Sequence, residues 1–321
     1  LDVLLKAGLG RLTGQSPEAL HFIDTRQYDI ASAQRAAAEM GLAMPDFAAA
    51  LQANVSYQLA TDFGRVPHAP GAGLRPIAGT MTYGQGNWQT PRVVLLHGLP
   101  LDLHSWDGVA AELPAGSYLR VDLPGNGRST AHRQLDGVAW LDALLADVAA
   151  PVLLVGHSLG TDFALRYAAA RPDKVAGLLL VAPYFLQGLA PRPLRHAASG
   201  RLLLSLINRS RYEQVVTGQQ APLTPMLDSG YAALRRRRVR RRVADALARA
   251  STPAVRQPLP GLLAAVFVPV HLVVGEQDAL RLPSDHPTTI IPQGGHNVHV
   301  THPRDVAALI TRQLAAADGN L

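Results

Sequence analysis

The sequence predicts an α/β protein: a mainly parallel sheet with helices on both faces. Three observations carry this. Apolar strand-like runs alternate with helical segments from Gly79 to the end of the chain, the pattern of a parallel sheet covered on both sides. One run, Pro151–Val155, stops at Gly156-His157-Ser158-Leu159-Gly160, with the amphipathic stretch Thr161–Ala170 behind it. The alternation is broken once, between Val181 and Val268, where the chain reads as helices and loops and is expected to form a cap.

Taken in order, residues 1–63 read as an alanine-rich helical extension, with helix-like runs at Ser32–Met40 and Pro45–Leu59. Gly8, Gly10 and Gly14 do not have the G-x-G-x-x-G spacing of a dinucleotide loop, so no nicotinamide binding is expected. The segment Phe22–Leu42, with Tyr28-Asp29 ahead of a helix and Glu39-Met40-Gly41 at its end, resembles the C-terminal tail of extended short-chain dehydrogenases of the epimerase type. The Pro/Gly-rich stretch 64–73 is expected to be a linker. Residues 74–183 and 268–321 are assigned to the core. Its strands are expected at Gly79–Tyr83, Arg92–Leu96, Ser117–Leu123, Pro151–Val155, Val175–Ala182, Val268–Val274 and Thr288–Ile291, with the cap at 184–267.

Composition narrows the chemistry. The 321 residues contain no cysteine, which excludes disulfides, thiolate metal sites and cysteine nucleophiles. No run approaches a membrane span, and the chain lacks the tripartite pattern of a secretory signal, so a cytoplasmic location is the default expectation. Its first residue is Leu1 rather than methionine. The formal charge of +6 comes from one place: without the seven arginines of Arg235–Arg242 it would be −1. Val239, Val243, Ala246, Leu247 and Ala250 recur at helical spacing, placing most of these arginines on a solvated outer face. No aromatics are interleaved for base stacking, so nucleic acid is not the expected partner.

The chemistry gathers at strand ends. A serine becomes a nucleophile when a base takes its proton, and the base needs an acid to orient it. Val270–Val274 runs into Gly275-Glu276-Gln277-Asp278, and Thr288–Ile291 runs into Gly294-Gly295-His296. In a parallel sheet these termini share one edge with Ser158. Asp285, Glu276, His299 and His302 are the weaker alternatives for the acid and the base. Val93–Leu96 ends in His97-Gly98, a turn that can aim the Leu99 N–H into the site. With the Leu159 N–H it would form an oxyanion hole, with His97 supporting the loop. Gly156 and Gly160 leave room for the serine turn. The histidines have no H-E-x-x-H spacing, and neither metal nor cofactor is expected.

From Ile77 to Leu314 these motifs, together with Asp122-Leu123-Pro124-Gly125-Asn126-Gly127-Arg128-Ser129, resemble the capped, serine-dependent, esterase-like members of the α/β-hydrolase superfamily. The resemblance implies a catalytic set of Ser158, Asp278 and His296, and a purely structural loop around Asp122 and Ser129. Three positions depart from the family pattern: Asn126, Thr161, and a short Asp278–His296 interval whose helix is reduced to Arg281–Pro287. The implied reaction is cleavage of a carboxylic ester through an acyl-enzyme. Lactonase, C–C hydrolase, perhydrolase, aminopeptidase and acyltransferase activities remain open, as does a silent binding domain of a fused protein. The substrate is expected to be a small acyl compound. Leu202, Leu203, Leu204, Leu206, Leu262, Leu263 and Phe267 are expected either to line an apolar acyl site or to form the cap's own core. The oligomeric state is left undetermined.

Overall fold

The computed structural model describes residues 29–43, 46–131, 136–218, 224–283 and 285–319. Two compact units divide the chain, Leu1–Leu51 and Gln52–Leu321. In the first, helix α1 (Ala31–Glu39) starts where the Ala31 N–H donates to Asp29 Oδ1 and ends before Gly41, which takes a positive φ. The epimerase-like residues Phe22–Tyr28 and the glycines Gly8, Gly10 and Gly14 lie outside the described residues. Helix α2 (Phe47–Ala60) crosses the boundary between the units. Its second half belongs with the sheet, where Ser56 Oγ accepts the Leu74 N–H and Tyr57 stacks on His68.

Eight strands form one sheet in the order β1-β2-β4-β3-β5-β6-β7-β8. They are β1 (Gly73–Ile77), β2 (Thr80–Gly86), β3 (Val93–Leu96), β4 (Tyr118–Val121), β5 (Val152–His157), β6 (Val175–Val181), β7 (Val270–Gly275) and β8 (Thr288–Ile291). The pairs β1/β2 and β2/β4 are antiparallel, and every other pair is parallel. Strand β1 is not among the apolar runs expected from the sequence. Its residues Gly-Leu-Arg-Pro-Ile combine two poor strand formers with half-exposed positions, as suits an edge strand.

Alternation along the buried strands divides the core between the two faces. Val94, Leu96, Leu154, Leu178, Leu180 and Leu272 pack with Trp140 and Leu141 of α4 (Gly137–Leu144) and with Ala164 and Leu165 of α5 (Gly160–Ala170). Val93, Leu95, Leu153, Val155, Leu179, Val181 and Val273 face α3 (Asp107–Glu112) and α12 (Pro303–Gly319) instead.

Between β6 and β7 the described chain is helical. It forms α6 (Ala197–Leu206), α7 (Arg209–Thr217), α8 (Thr224–Arg235), α9 (Arg237–Ala250), α10 (Pro253–Arg256) and α11 (Pro258–Ala265). This insertion shares one apolar cluster with the loops at the sheet edge: Leu204, Tyr212, Val216, Leu234, Val243 and Ala244 meet Leu99, Leu101 and Val300. Val239, Val243, Ala246 and Leu247 of α9 turn toward that cluster. Arg235, Arg236, Arg237, Arg238, Arg241 and Arg242 are exposed, so most of the run is an outer face of α9, while Arg235 ends α8 and Arg236 lies between the two helices.

Two expectations are corrected here. Of the seven apolar residues named for the insertion, only Leu204 and Leu263 are buried. Leu202, Leu203, Leu206 and Phe267 are exposed, so the set is neither a pocket lining nor a core. Helical periodicity marks one face of α6, and packing against α9 chose the face centred on Gly200 and Leu204. The stretch Arg281–Pro287 shows no helix among its described residues. The loop must carry the chain from the carboxyl end of β7 back to the amino end of the parallel strand β8, and residues 276–287, at about 3.3 Å per extended residue, are long enough to do so without a helix.

Candidate active site

Ser158 sits at the end of β5 with φ +47°, a left-handed conformation that costs a non-glycine residue about 1–3 kcal/mol. The surroundings over-determine it. Its N–H donates to the Val181 carbonyl at 2.9 Å, and its own carbonyl accepts the Thr161 N–H at 3.1 Å and Thr161 Oγ1 at 2.5 Å. Thr161, unusual beside the family pattern, therefore helps to hold the turn. A Cβ at Gly156 would lie 2.7 Å from the Gly160 backbone, and one at Gly160 would strike the Leu96 carbonyl. Both glycines are needed because strand, turn and helix pass within contact distance of one another.

Loops after β7 and β8 bring the other two groups together. Asp278 Oδ2 accepts from His296 Nδ1 at 3.0 Å, and Asp278 Oδ1 accepts the Leu280 N–H at 2.9 Å. The Asp278 side chain is 1% exposed and that of His296 is 26% exposed, leaving the imidazole with one wet edge. Burial acts to raise the Asp278 carboxyl. The His296 hydrogen bond and charge, the Leu280 N–H and Gln187 outweigh it, so the group titrates below the ordinary carboxylate value. The acid loop is pinned by Gln277 N donating to Gly294 O at 2.8 Å. Of the alternatives, Glu276 accepts the Gln293 N–H, His302 bonds Thr301, and His299 is wholly buried. Ser158 Oγ has no hydrogen-bond partner among the described residues. Nucleophile–base contacts are often long in ligand-free sites and tighten around substrate.

The His-Gly turn lies against this serine. A Cβ on Gly98 would stand 2.5 Å from His157 Nδ1 and 2.8 Å from Ser158 Cβ. His97 Nε2 accepts the Leu123 N–H at 3.0 Å, which leaves the proton on Nδ1 to be donated to the Gly98 carbonyl at 2.8 Å. This fixes the ring's tautomer and the loop's orientation. The N–H groups of Leu99 and Leu159 have no protein acceptor among the described residues, so both donors are free. Asp122 is structural: Oδ1 accepts the Leu103 N–H, Oδ2 accepts the Arg128 N–H, and Ser129 Oγ donates to its carbonyl. Asn126 donates weakly to the Pro124 carbonyl.

Two features were not foreseen from the sequence. Gln187, beyond the end of β6, donates to Asp278 Oδ2 at 2.6 Å. His157, the residue before the serine, heads a buried row of packed rings. It lies 4.1 Å from His299, which is 4.4 Å from Trp106, and its Nε2 contacts the His296 carbonyl at 3.2 Å. Neither contact has a local sequence signal, because each joins residues more than 90 positions apart.

The chain resembles proteins of several activities. It is 32% identical over 239 residues to 2-succinyl-6-hydroxy-2,4-cyclohexadiene-1-carboxylate synthase of Enterobacter sp. (strain 638), covering 70% of this chain and 92% of the relative. It is 31% identical over 245 residues to pimeloyl-(acyl-carrier protein) methyl ester esterase of Aromatoleum aromaticum, covering 68% and 96% respectively. Its fold matches the crystal structure of a putative lipase from Acinetobacter baumannii with a TM-score of 0.63 at 20% identity, over 83% of this chain and 96% of that one. Residues 93–309 match the alpha/beta hydrolase family, in agreement with the sheet order, the strained serine turn and the Asp278–His296 pair, and the chain is a member of that family.

Proposed function

We propose that this chain cleaves carboxylic esters, with Ser158 as nucleophile, His296 as general base and acid, and Asp278 as the group that orients the imidazole. The Asp278–His296 hydrogen bond, formed by a buried carboxylate at the sheet edge that carries Ser158, is the observation that most supports it. Asp278 holds the proton on Nδ1, which leaves Nε2 as the basic edge. Ser158 Oγ adds to the ester carbonyl carbon as its proton passes to His296 Nε2. The carbonyl oxygen becomes an oxyanion received by the free N–H groups of Leu99 and Leu159. The C–O bond then breaks, the alkoxide leaves with the proton from Nε2, and an acyl-serine remains. Water, deprotonated by the same nitrogen, repeats the sequence and releases the acid.

The test is labelling by a fluorophosphonate and release of nitrophenol from short acyl esters, both lost in Ser158→Ala. Folded wild-type protein that is neither labelled nor active would sink the reading.

The insertion is proposed to act as a cap, since Tyr212 OH donates to the Pro100 carbonyl beside the oxyanion loop and Asn297 Nδ2 donates to the Val216 carbonyl beside His296. A carrier-linked acyl ester is a second reading for the substrate. It draws on the esterase relative's name and on the exposed arginines of α9, none of which is paired with a carboxylate among the described residues. The same assay tests it. Neutralising Arg237, Arg238 and Arg241 together should weaken turnover of an ester on an acidic carrier protein and leave nitrophenyl esters unaffected. Equal effects on both substrates would refute it.

A further inference from the structure

Gln187 stands six residues past the last residue of β6, where the chain leaves the sheet for the helical insertion. It is 4% exposed, and its amide meets the proposed acid and base together. Nε2 is 2.6 Å from Asp278 Oδ2 and 3.3 Å from His296 Nδ1, while His296 Nδ1 is itself 3.0 Å from the same carboxylate oxygen. The chemistry assigns the donors. A flipped amide would press Oε1 against a carboxylate oxygen, so the NH₂ faces Asp278. His296 must carry its proton on Nδ1 to bond that oxygen, so the glutamine cannot also donate to Nδ1. Oδ2 therefore accepts two N–H donors, one from each side, and Oδ1 accepts a third from Leu280.

The backbone of Gln187 is held as firmly as its side chain. Its carbonyl accepts from Arg256 of α10, its N–H donates to the Tyr184 carbonyl, and it pairs with Arg281 in an antiparallel bridge. The next residue, Gly188, donates to the Leu280 carbonyl at 2.7 Å. The acid loop and the root of the insertion are thus laced together at this one residue. Its Oε1 is buried without a partner among the described residues. An amide serving only to fill space would be costly there, and the position makes sense through its donor end.

We propose that Gln187 is a positioning residue for Asp278: its amide fixes the carboxylate rotamer that presents Oδ2 to His296 and couples that geometry to the base of the cap. It acts through Asp278 and touches no reacting atom. The inference rests on the serine hydrolase reading for its catalytic meaning, although the hydrogen-bond geometry stands independently. The titratable groups around the pair are His157, with its ring 5.1 Å from that of His296, and behind it His299 and His97, all buried. Arg281 flanks Gln187 through a backbone bridge, and Arg256 through its guanidinium on the Gln187 carbonyl.

The experiment compares Gln187→Leu and Gln187→Glu with wild type and Ser158→Ala, with rates counted per fluorophosphonate-titrated site. Gln187→Leu keeps the volume and removes the donor. It should lower kcat roughly 10- to 100-fold with KM unchanged. It should also move the low-field proton resonance of the His296–Asp278 hydrogen bond, in the active background and in Ser158→Ala alike. In Gln187→Glu the introduced carboxyl can hold the bond only while protonated. The variant should therefore gain a descending limb in kcat/KM that wild type lacks, with its optimum moved to lower pH and bounded on the acid side because His296 must be unprotonated to act as base. A wild-type kcat per titrated site in Gln187→Leu with an unmoved resonance would overturn the proposal, as would a loss confined to the titrated fraction. A wild-type protein without turnover or labelling refutes the hydrolase reading instead, and the resonance shift in Ser158→Ala then still tests the geometry.

Discussion

Lowering the pH from about 7.5 to about 5.5 is expected to destabilise the fold through His157 and His299. Both are fully buried, and burial holds both imidazoles well below their ordinary value, with the neighbouring histidines pushing the same way. Between that lowered value and about 6.5 the unfolded chain binds protons that the native state refuses. Their contribution to stability is therefore complete above about pH 6.5 and is lost as pH falls from there toward the native values. Each group gives a slope of about 1.4 kcal/mol per pH unit, so the two together would remove nearly 3 kcal/mol per unit. That is a large share of the roughly 5–15 kcal/mol that holds a domain folded. Other groups oppose the trend. His104 is raised, since its bonds to Asp107 outweigh burial, and burial raises Asp162, so both favour the fold as the pH drops.

A variant isolates the effect from that background. The His299 ring lies between Trp106 and His157 and neither of its nitrogens has a partner among the described residues, so His299→Phe should fill the space and remove that residue's proton deficit. Urea unfolding followed by tryptophan fluorescence should show the variant gaining on wild type by about 1.4 kcal/mol for each pH unit below 6.5. A stability difference that stays constant across this range would refute the reasoning.

Two further outcomes follow from the site. Gly98→Ala would drive a Cβ into His157 and Ser158, displacing the Leu99 N–H. If that N–H is an oxyanion donor, kcat should fall by about 10²–10³ in nitrophenyl ester assays, and a fall under tenfold would remove the role. Asp278→Asn should retain the fold and lower kcat on the order of 10⁴, since an amide can stabilise the wrong imidazole tautomer. Activity within tenfold of wild type would point to another acid.

How much was legible beforehand follows the range of each interaction. The serine turn was readable because strand, apex and helix start are contiguous and their glycines answer a local steric demand at Gly156 and Gly160. Asp278 and His296 were readable because each ends an apolar run, and parallel strands bring such ends to one edge. Strand β1 escaped because a half-exposed edge strand carries a weak apolar signal. The insertion's leucines misled because hydrophobicity alone does not say which side of a helix another helix covers.

By itself the sequence determined which residues stand at strand ends, that the strands are covered on both faces, and that most of the arginines share one helix face. Those properties depend on neighbours a few positions away. Only the tertiary structure decided that Gln187 shares a carboxylate oxygen with His296, that His157 packs on His299 and His299 on Trp106, and that the insertion's core runs into Leu99, Leu101 and Val300. Each of these depends on the β5-β6-β7-β8 order and on how helices seat against the sheet edge, a choice made by the packing of the whole core.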